Sequence, residues 1–253
     1  MLISNQLIGF GAGNPYRPAS MIFNGVDENL ERTNVTTSPA PNTTIVTFSF
    51  WLKLTETADL IILESRSDAS NRSQITKNAS EALTAAETSG GALQWSEVST
   101  AADVPIDGTW HHFVLRYDSP QGTTADRILM YKDGTLLTRA SGTDPTASEV
   151  HRFWTNAKVF YIGGVPSVGL NAMRLAFIDV VEGLSIAPTD FAFNNGGVWT
   201  RKPYVGSRGN YGFSIDGSTG VVGADVGLNG QHFTGINMDA SNLDFADLPP
   251  YEA

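Results

Sequence analysis

The sequence predicts an all-β fold, a β-sandwich of two antiparallel sheets with little helix. Apolar and polar residues alternate through 43–54 (TTIVTFSFWLKL), the pattern of an antiparallel strand with one face on a core. Short strand-like runs recur along the chain, and Asp-Gly or Asn-Gly pairs mark several turns between them. Because long amphipathic helical patterns are missing, packing of one sheet on another is the arrangement that remains.

The 43–54 strand sets the predicted core. Alternation places Thr47, Ser49, Trp51 and Lys53 on the face away from that core. The same alternation in later strands adds further inward-facing positions. We expect burial of Phe48, Phe50, Leu52, Phe113, Leu115, Leu129, Leu175 and Phe177.

The first half of the chain supplies an arm and several strands. Residues 1–20 are rich in Gly, Asn and Pro around a small apolar cluster, and they predict an extended arm. Residues 21–32 predict two short strands around an Asn24-Gly25 turn, and 59–65 and 91–99 predict further strands. Residues 66–90 are ambiguous: a helical turn fits 79–87, but its weak amphipathic pattern favours loop and irregular strand.

The second half begins with a turn at Asp107-Gly108 and a strand over 109–118. Residues 127–140 predict a hairpin, because the Asp133-Gly134 pair suits a type I′ turn with positive φ at both positions. Later segments then follow in order. A strand is expected over 158–162, a buried central strand over 173–181, a single helical turn over 188–191, and an irregular segment packed on the sandwich over 196–253.

Composition excludes several classes of protein. The 253 residues include no Cys, which rules out a disulfide scaffold, a thiol nucleophile and Cys-liganded zinc. The formal net charge of −10 argues against nucleic-acid binding and against docking on anionic membranes. No apolar run is long enough to span a bilayer, and the N-terminus has no basic region typical of a signal peptide.

Five segments together resemble the laminin-G-like branch of the concanavalin A-like lectin/glucanase superfamily. The Gly-Thr-Trp-His-His run and the aromatic–x–Asp-Gly hairpin are the most recognisable pieces. The segments are 47–54 (TFSFWLKL), 108–118 (GTWHHFVLRYD), 129–137 (LMYKDGTLL), 159–164 (VFYIGG) and 173–183 (MRLAFIDVVEG). The resemblance implies a two-sheet jelly-roll, with residues 21–195 forming a concanavalin A-like sandwich.

The C-terminal part of the chain narrows the resemblance to one group of laminin-G-like proteins. Segments 184–199, 210–216, 223–230 and 231–238 look like the ends of laminin-G-like proteins encoded by tailed bacteriophages. There the module commonly belongs to virion fibres and related structural proteins. The resemblance therefore implies a non-enzymatic protein on the virion surface, as a capsid decoration, fibre or tail-associated subunit made in the bacterial host cytoplasm. The alternative is a carbohydrate-binding receptor adhesin of a phage tail fibre.

The superfamily's β-glucanases carry a strand motif of three acidic residues, and the nearest match here is 177–182 (FIDVVE). Asp179 and Glu182 occupy its second and third acidic positions, whereas Phe177 occupies the position of the nucleophile. Retaining hydrolysis needs two carboxylates about 5–5.5 Å apart. We therefore predict no catalytic residue, and we expect Asp179 to accept hydrogen bonds at a strand end and Glu182 to be solvated.

Two adjacent histidines fit the same non-catalytic interpretation. His111 and His112 point to opposite faces of their strand. Spacing suggests a Ser or Cys partner for neither of them. We assign both to the sheet and not to a catalytic triad.

Tryptophans are the candidates for sugar binding, because an aromatic ring can stack on a pyranose face. Trp51 and Trp110 lie in strand motifs and are expected to be packing residues. The remaining three lie in or near predicted loops. The candidate carbohydrate-binding residues are Trp95, Trp154 and Trp199.

The family resemblance also makes calcium a ligand to consider, because many laminin-G-like domains bind Ca²⁺ through loop carboxylates and carbonyls. Asp118, Asp126 and Asp144 are the loop carboxylates available for it. They form no closely spaced acidic loop pattern. We therefore predict no metal site and no other cofactor, with Ca²⁺ as the alternative.

The arm is the predicted assembly element. Leu7, Ile8 and Phe10 are apolar but lie in a segment without a strand partner. Glycines between them would make a free arm costly to order. We predict that the arm packs on a neighbouring subunit of a homo-oligomer, with a trimer as the working model, or on a capsid or tail protein; the alternative is an arm folded back on its own sandwich.

Overall fold

Two large antiparallel sheets form the fold in the computed structural model, which describes residues 16–35, 40–56, 58–227 and 230–251. These residues contain no α-helix, and hence no helix that could cross a membrane. Their helical structure consists of short 3₁₀ turns at Thr124–Asp126, Pro188–Asp190 and Ala240–Asn242. The predicted all-β sandwich is confirmed.

Sheet A has the 43–54 region at its centre. A further strand, Phe213–Ile215 (β18), pairs with the long strand β15 beside it. The strands of sheet A are, in spatial order, Thr135–Leu136 (β10), Ile128–Lys132 (β9), Trp110–Asp118 (β8), Ile45–Lys53 (β3), Ala172–Glu182 (β15), Ser20–Asn24 (β1) and Leu243–Asp244 (β20).

Sheet B packs across the core from sheet A. Its strands are, in spatial order, Arg139–Thr143 (β11), Ala92–Ser99 (β7), Leu83–Ser89 (β6), Asn71–Lys77 (β5), Leu60–Asp68 (β4), Val159–Ile162 (β12), Asn29–Thr33 (β2) and Thr234–Ile236 (β19). Two small hairpins lie outside the large sheets: Gly164–Val165 (β13) with Gly169–Leu170 (β14), and Ala192–Asn195 (β16) with Val198–Arg201 (β17).

The chain passes from sheet A to sheet B between β1 and β2. Gly25 has a φ of 75°, and a Cβ there would lie 2.6 Å from the backbone nitrogen of Ala172. Only glycine fits both the positive φ and this close approach. The two predicted N-terminal strands are therefore present, but they belong to different sheets.

The predicted core is right at seven of its eight positions. Phe48, Phe50 and Leu52 are buried in the main core cluster, as the alternation of β3 requires. Leu129 is the exception: it is only partly buried, because Ile128 and Met130 take the inward positions of β9. That prediction was one residue out of register.

Phe177 is buried, but on the other side of sheet A from Leu175. The register of β15 against β3 shifts between Ala176 and Asp179, and Phe177 has a φ of 48°. Such a bulge reverses the direction of the side chains that follow. Phe177 therefore joins a second cluster with Trp51 on the outer face of sheet A.

The expectation of loop and irregular strand over 66–90 is wrong. Most of this stretch forms β5 and β6, two regular strands in the middle of sheet B. Small and polar residues dominate there, so the sequence lacks the apolar alternation that marks a strand. Their neighbours β4 and β7 supply the pairing that local propensity does not indicate.

The C-terminal part of the chain takes part in both sheets. β18 and β20 belong to sheet A and β19 belongs to sheet B, while long irregular stretches connect them. The β16–β17 hairpin lies on both sides of the predicted division between 195 and 196. The proposed limits of the three segments stay predictions.

The Asp133-Gly134 turn has the predicted geometry, with φ values of 48° and 79°. His111 connects this turn to the Asp107-Gly108 turn. Its Nδ1 lies 2.7 Å from Asp133 Oδ2, and its Nε2 lies 3.1 Å from Asp107 Oδ2. The hydrogen bond with Asp133 raises the pKa of His111 above its usual value.

Replacing Phe50 by Ala should lower the free energy of unfolding by about 3–5 kcal/mol, because the ring is fully buried and leaves a cavity. Urea denaturation of the variant and the wild type measures this difference. A matched control is Leu136→Ala, since that side chain is 53% exposed. A Phe50→Ala cost no larger than the control would show that the register of β3 is wrong.

His111→Gln should cost about 1–2 kcal/mol of stability at pH 6 and less at pH 9. A raised folded-state pKa gives stability that is present below the unfolded value of about 6.5 and is lost as the pH rises through the folded value. Urea denaturation at both pH values measures the difference. An equal cost at both would contradict a charged His111 between the two turns.

Candidate functional site

Trp95 and Trp154 offer no surface to a sugar, because both are buried in the core. Trp95 lies inside β7 with its ring centroid 4.9 Å from that of Tyr117. Trp154 stacks on Phe160 at 5.8 Å. The structure therefore corrects the proposal of these two as carbohydrate platforms: one belongs to a strand, and the other is a loop residue folded into the core.

Trp199 is partly buried on β17. Its ring stacks on His112 with centroids 6.2 Å apart, and its Nε1 donates a hydrogen bond of 3.0 Å to His112 Nδ1. A Cβ on Gly134 would lie 2.5 Å from the same ring, so only glycine there lets the ring lie flat. Trp199 thus anchors the β16–β17 hairpin on sheet A, and of the three candidates only its role as a sugar platform stays a prediction.

His112 has a serine partner that sequence spacing did not suggest. Its Nε2 lies 2.8 Å from Ser49 Oγ on the neighbouring strand β3, and both side chains are buried. Both residues face outward from sheet A on adjacent strands, so the paired alternation of β3 and β8 was the signal that could have found the contact.

This pair is not a nucleophile with its base. The indole N–H of Trp199 can only donate, so His112 Nδ1 must accept and carries no proton. Burial lowers the pKa of His112 to about 3, so the ring is neutral and its proton sits on Nε2. Nε2–H therefore donates to Ser49 Oγ, whereas a general base would have to accept the hydroxyl proton there.

Asp179 is buried and paired with an arginine. Its Oδ1 accepts hydrogen bonds from Arg208 Nε at 2.9 Å and Nη2 at 2.6 Å. The prediction that Asp179 accepts hydrogen bonds is confirmed, although it lies inside β15 and not at the end of the strand. The neighbouring Phe177 packs under Arg201, whose guanidinium carbon lies 4.2 Å from the ring centroid.

Glu182 is buried, so the prediction of a solvated side chain is wrong. Its Oε2 accepts from the backbone N–H of Asn210 at 2.7 Å and of Tyr211 at 2.9 Å. Its Oε1 accepts from the backbone N–H of Asn42. One carboxylate therefore joins the end of β15 to two distant loops, because a carboxylate is the acceptor best suited to several N–H donors.

Glu182→Gln should lower the free energy of unfolding by about 2–3 kcal/mol, since an amide oxygen replaces one charged acceptor and an NH₂ group faces backbone donors. Thermal and urea unfolding measure the loss. The matched control is Glu56→Gln at an exposed site. Equal stability of the two variants would contradict this structural role.

Two of the three loop carboxylates considered for calcium have other partners, and the third, Asp126, lies in the 3₁₀ turn Thr124–Asp126. Asp144 pairs with Arg139, and Asp118 accepts a hydrogen bond of 2.7 Å from Gln121 Nε2. Across the described ranges, no group of three or more His, Cys, Asp or Glu side chains is placed to hold a metal ion.

The outer face of sheet B carries an open groove of about 310 Å³. Arg72, Gln74 and Thr76 of β5 line it together with Val168 and Gly169 of the β13–β14 hairpin. Its volume falls at the lower end of the range found for ligand-binding sites in proteins. The sequence did not reveal this groove, because the 66–90 stretch favours loop and irregular strand. The alternation of Arg72, Gln74 and Thr76 with buried Ser73 and Ile75 was the signal that could have found it.

A buried carboxylate lies on the same face beside the groove. Glu64 of β4 is directly opposite Gln74 and is not exposed to solvent. Burial raises its pKa, while Arg66 and Arg72 oppose that shift. Arg66 Nη1 lies 3.5 Å from Glu64 Oε1. A charged cluster therefore lies beside the groove, whose own lining also includes the apolar Leu60, Ile61 and Val168.

The match to a protein family covers most of the sandwich. Residues 28–182 match the Laminin_G_3 model of the concanavalin A-like lectin/glucanases superfamily. The chain belongs to this family. None of the curated proteins compared with the chain matches it.

Two solved structures are similar to this chain at low sequence identity. A putative carbohydrate binding protein from Bacteroides ovatus is 14% identical with a TM-score of 0.54, covering 88% of this chain and 58% of its own. Domains LG4-5 of mouse laminin alpha1 are 14% identical with a TM-score of 0.45, covering 74% and 50%. The match thus spans 58% of the first protein and 50% of the second, less than two thirds of either.

Proposed function

We propose that this chain is a non-enzymatic subunit of a tailed-bacteriophage virion that displays a laminin G-like domain on the particle surface. The non-enzymatic part of this proposal rests on one observation. The side chains of Asp179, Glu182 and His112 are buried and hold parts of the fold together. Family membership supports the laminin G-like domain. The resemblance of the C-terminal segments to phage proteins supports display on a particle, as a capsid decoration, fibre or tail-associated subunit.

The N-terminal arm is the proposed attachment device. Leu7, Ile8 and Phe10 lie outside the described residues, which begin at Tyr16. From there the chain runs along the C-terminal segment: Tyr16 donates a 2.8 Å hydrogen bond to Asp216. The arm would then bind other virion proteins or neighbouring copies in a homotrimer.

Deleting residues 2–14 tests this role. We expect a folded, monodisperse protein that no longer incorporates into particles, with wild-type incorporation measured by quantitative gel analysis of purified virions. The internal control is Phe50→Ala, which should reduce incorporation only through loss of folded protein. Normal occupancy by the truncated protein would contradict attachment through the arm.

A second function, binding of a host-surface glycan as an adhesin, is favoured by the groove on sheet B. That groove lies on an open sheet face, and guanidinium, amide and hydroxyl groups line it together with the apolar side chains of Leu60, Ile61 and Val168. These groups bind sugar hydroxyls through hydrogen bonds. A glycan array probed with the purified protein tests it: selective binding supports the adhesin role, and uniform absence of binding overturns it.

A further inference from the structure

The β16–β17 hairpin ends in a turn that leaves an asparagine exposed at its tip. Asn195 pairs with Val198 in the ladder, and Gly196 and Gly197 form the two-residue loop between them. Their φ values of 63° and 97° are those of a type I′ turn, which glycine adopts without strain. Asn195 and both glycines are exposed, and among the described residues a Cβ on either glycine would meet no atom within 4 Å. The tip of the hairpin is therefore open to water and uncrowded.

The side chain of Asn195 is not held by the fold. Within residues 16–35, 40–56, 58–227 and 230–251, neither its carboxamide nor the N–H of Gly196 makes a hydrogen bond. The neighbouring Asn194 differs, because its Oδ1 accepts a hydrogen bond of 2.6 Å from the N–H of Gly197. The Asn195 carboxamide is therefore free to rotate toward the next peptide nitrogen.

An asparagine followed by glycine carries its own nucleophile. The glycine nitrogen attacks Cγ of the asparagine when the two atoms come within about 3–3.5 Å, and glycine has no Cβ to obstruct the approach. That nitrogen loses its proton to water or hydroxide, and Nδ2 leaves as ammonia, which closes a succinimide ring. Water then adds to one of the two ring carbonyls and opens the ring to aspartate or isoaspartate. Overall, an amide and a water become a carboxylate and an ammonium ion.

Asn24-Gly25 is the same dipeptide in a locked setting. Asn24 Oδ1 accepts hydrogen bonds from the N–H groups of Val26 at 2.7 Å and Asp27 at 3.2 Å. Its Nδ2 donates to Asp27 Oδ1 at 2.8 Å. Gly25 in turn lies against the backbone of Ala172. Rotation of the Asn24 carboxamide toward the next nitrogen would break these hydrogen bonds, so the fold holds it away from reaction.

We propose that Asn195 is a site of spontaneous deamidation, and that the fold directs this reaction to Asn195 while it protects Asn24. The product adds a negative charge to the exposed tip of the hairpin, in a chain whose formal net charge is already −10. The isoaspartate form also inserts an extra backbone carbon at the Asn195–Val198 pair, next to the strand that carries Trp199. This modification is independent of virion display and of glycan binding.

Peptide mapping by mass spectrometry measures the reaction at each site. The folded protein is incubated at pH 6 and at pH 9, and each Asn-Gly peptide is followed separately, including the one with Asn229, which lies outside the described residues. Replacement of the NH₂ group by OH raises the peptide mass, and chromatography separates isoaspartate from aspartate. The controls are the same protein unfolded in urea and the variant Asn195→Gln, whose longer side chain closes a ring far more slowly.

In the folded protein, we expect Asn195 to deamidate at least about tenfold faster than Asn24. The rate should be higher at pH 9 than at pH 6, because the attacking nitrogen must lose its proton. Unfolding in urea should bring the two rates together, since the reacting dipeptide is the same. An Asn195 rate no higher than that of Asn24 in the folded protein would overturn the proposal. A difference of the same size in urea would assign it to neighbouring residues and overturn the role of the fold.

Ion-exchange chromatography of the aged, folded protein supplies a second readout that does not depend on proteolysis. A more acidic form should accumulate in the wild type, and its amount should fall at least about tenfold in Asn195→Gln. Because Asn195 is exposed, this variant should keep the Tm of the wild type. An acidic form that accumulates equally in both proteins would place the reaction at another residue and contradict the assignment to Asn195.

Discussion

The structure depends on β3 being buried on both faces. Inward, Phe48, Phe50 and Leu52 fill the space between the sheets; outward, Trp51 packs under the β16–β17 hairpin beside Ala192. An antiparallel strand with alternating pattern normally leaves one face to solvent. Here the C-terminal part of the chain covers the second face, so sheet A becomes the middle layer of three.

The cover on the outer face of sheet A explains why the titratable side chains on that sheet are buried and paired. His112, Asp179 and Glu182 belong to sheet A, and each is closed off and paired with a group from the C-terminal part. Burial without a partner would cost each several kcal/mol, and these partners offset that cost. Sheet B has an open groove on its outer face instead.

The sequence predicts the parts of the fold that local chemistry determines. The alternation of β3 and the Asp133-Gly134 turn are governed by neighbouring residues, and both are found as expected. The strands of 66–90 and the bulge at Phe177 depend on pairing with distant strands, which no local pattern records. The prediction for Trp154 failed for the same reason: it looks like an exposed loop residue until the loop folds into the core.

Hydrogen–deuterium exchange of the β16–β17 hairpin tests the three-layer arrangement most directly. The hairpin forms its own ladder, and the amide of Lys202 donates to Phe191 O at 2.9 Å. We expect its ladder amides to exchange as slowly as those of β3, through the same global opening. Exchange of the hairpin within seconds, while β3 stays protected, would show that the outer face of sheet A is open and would contradict the structural role of its buried acids and histidine.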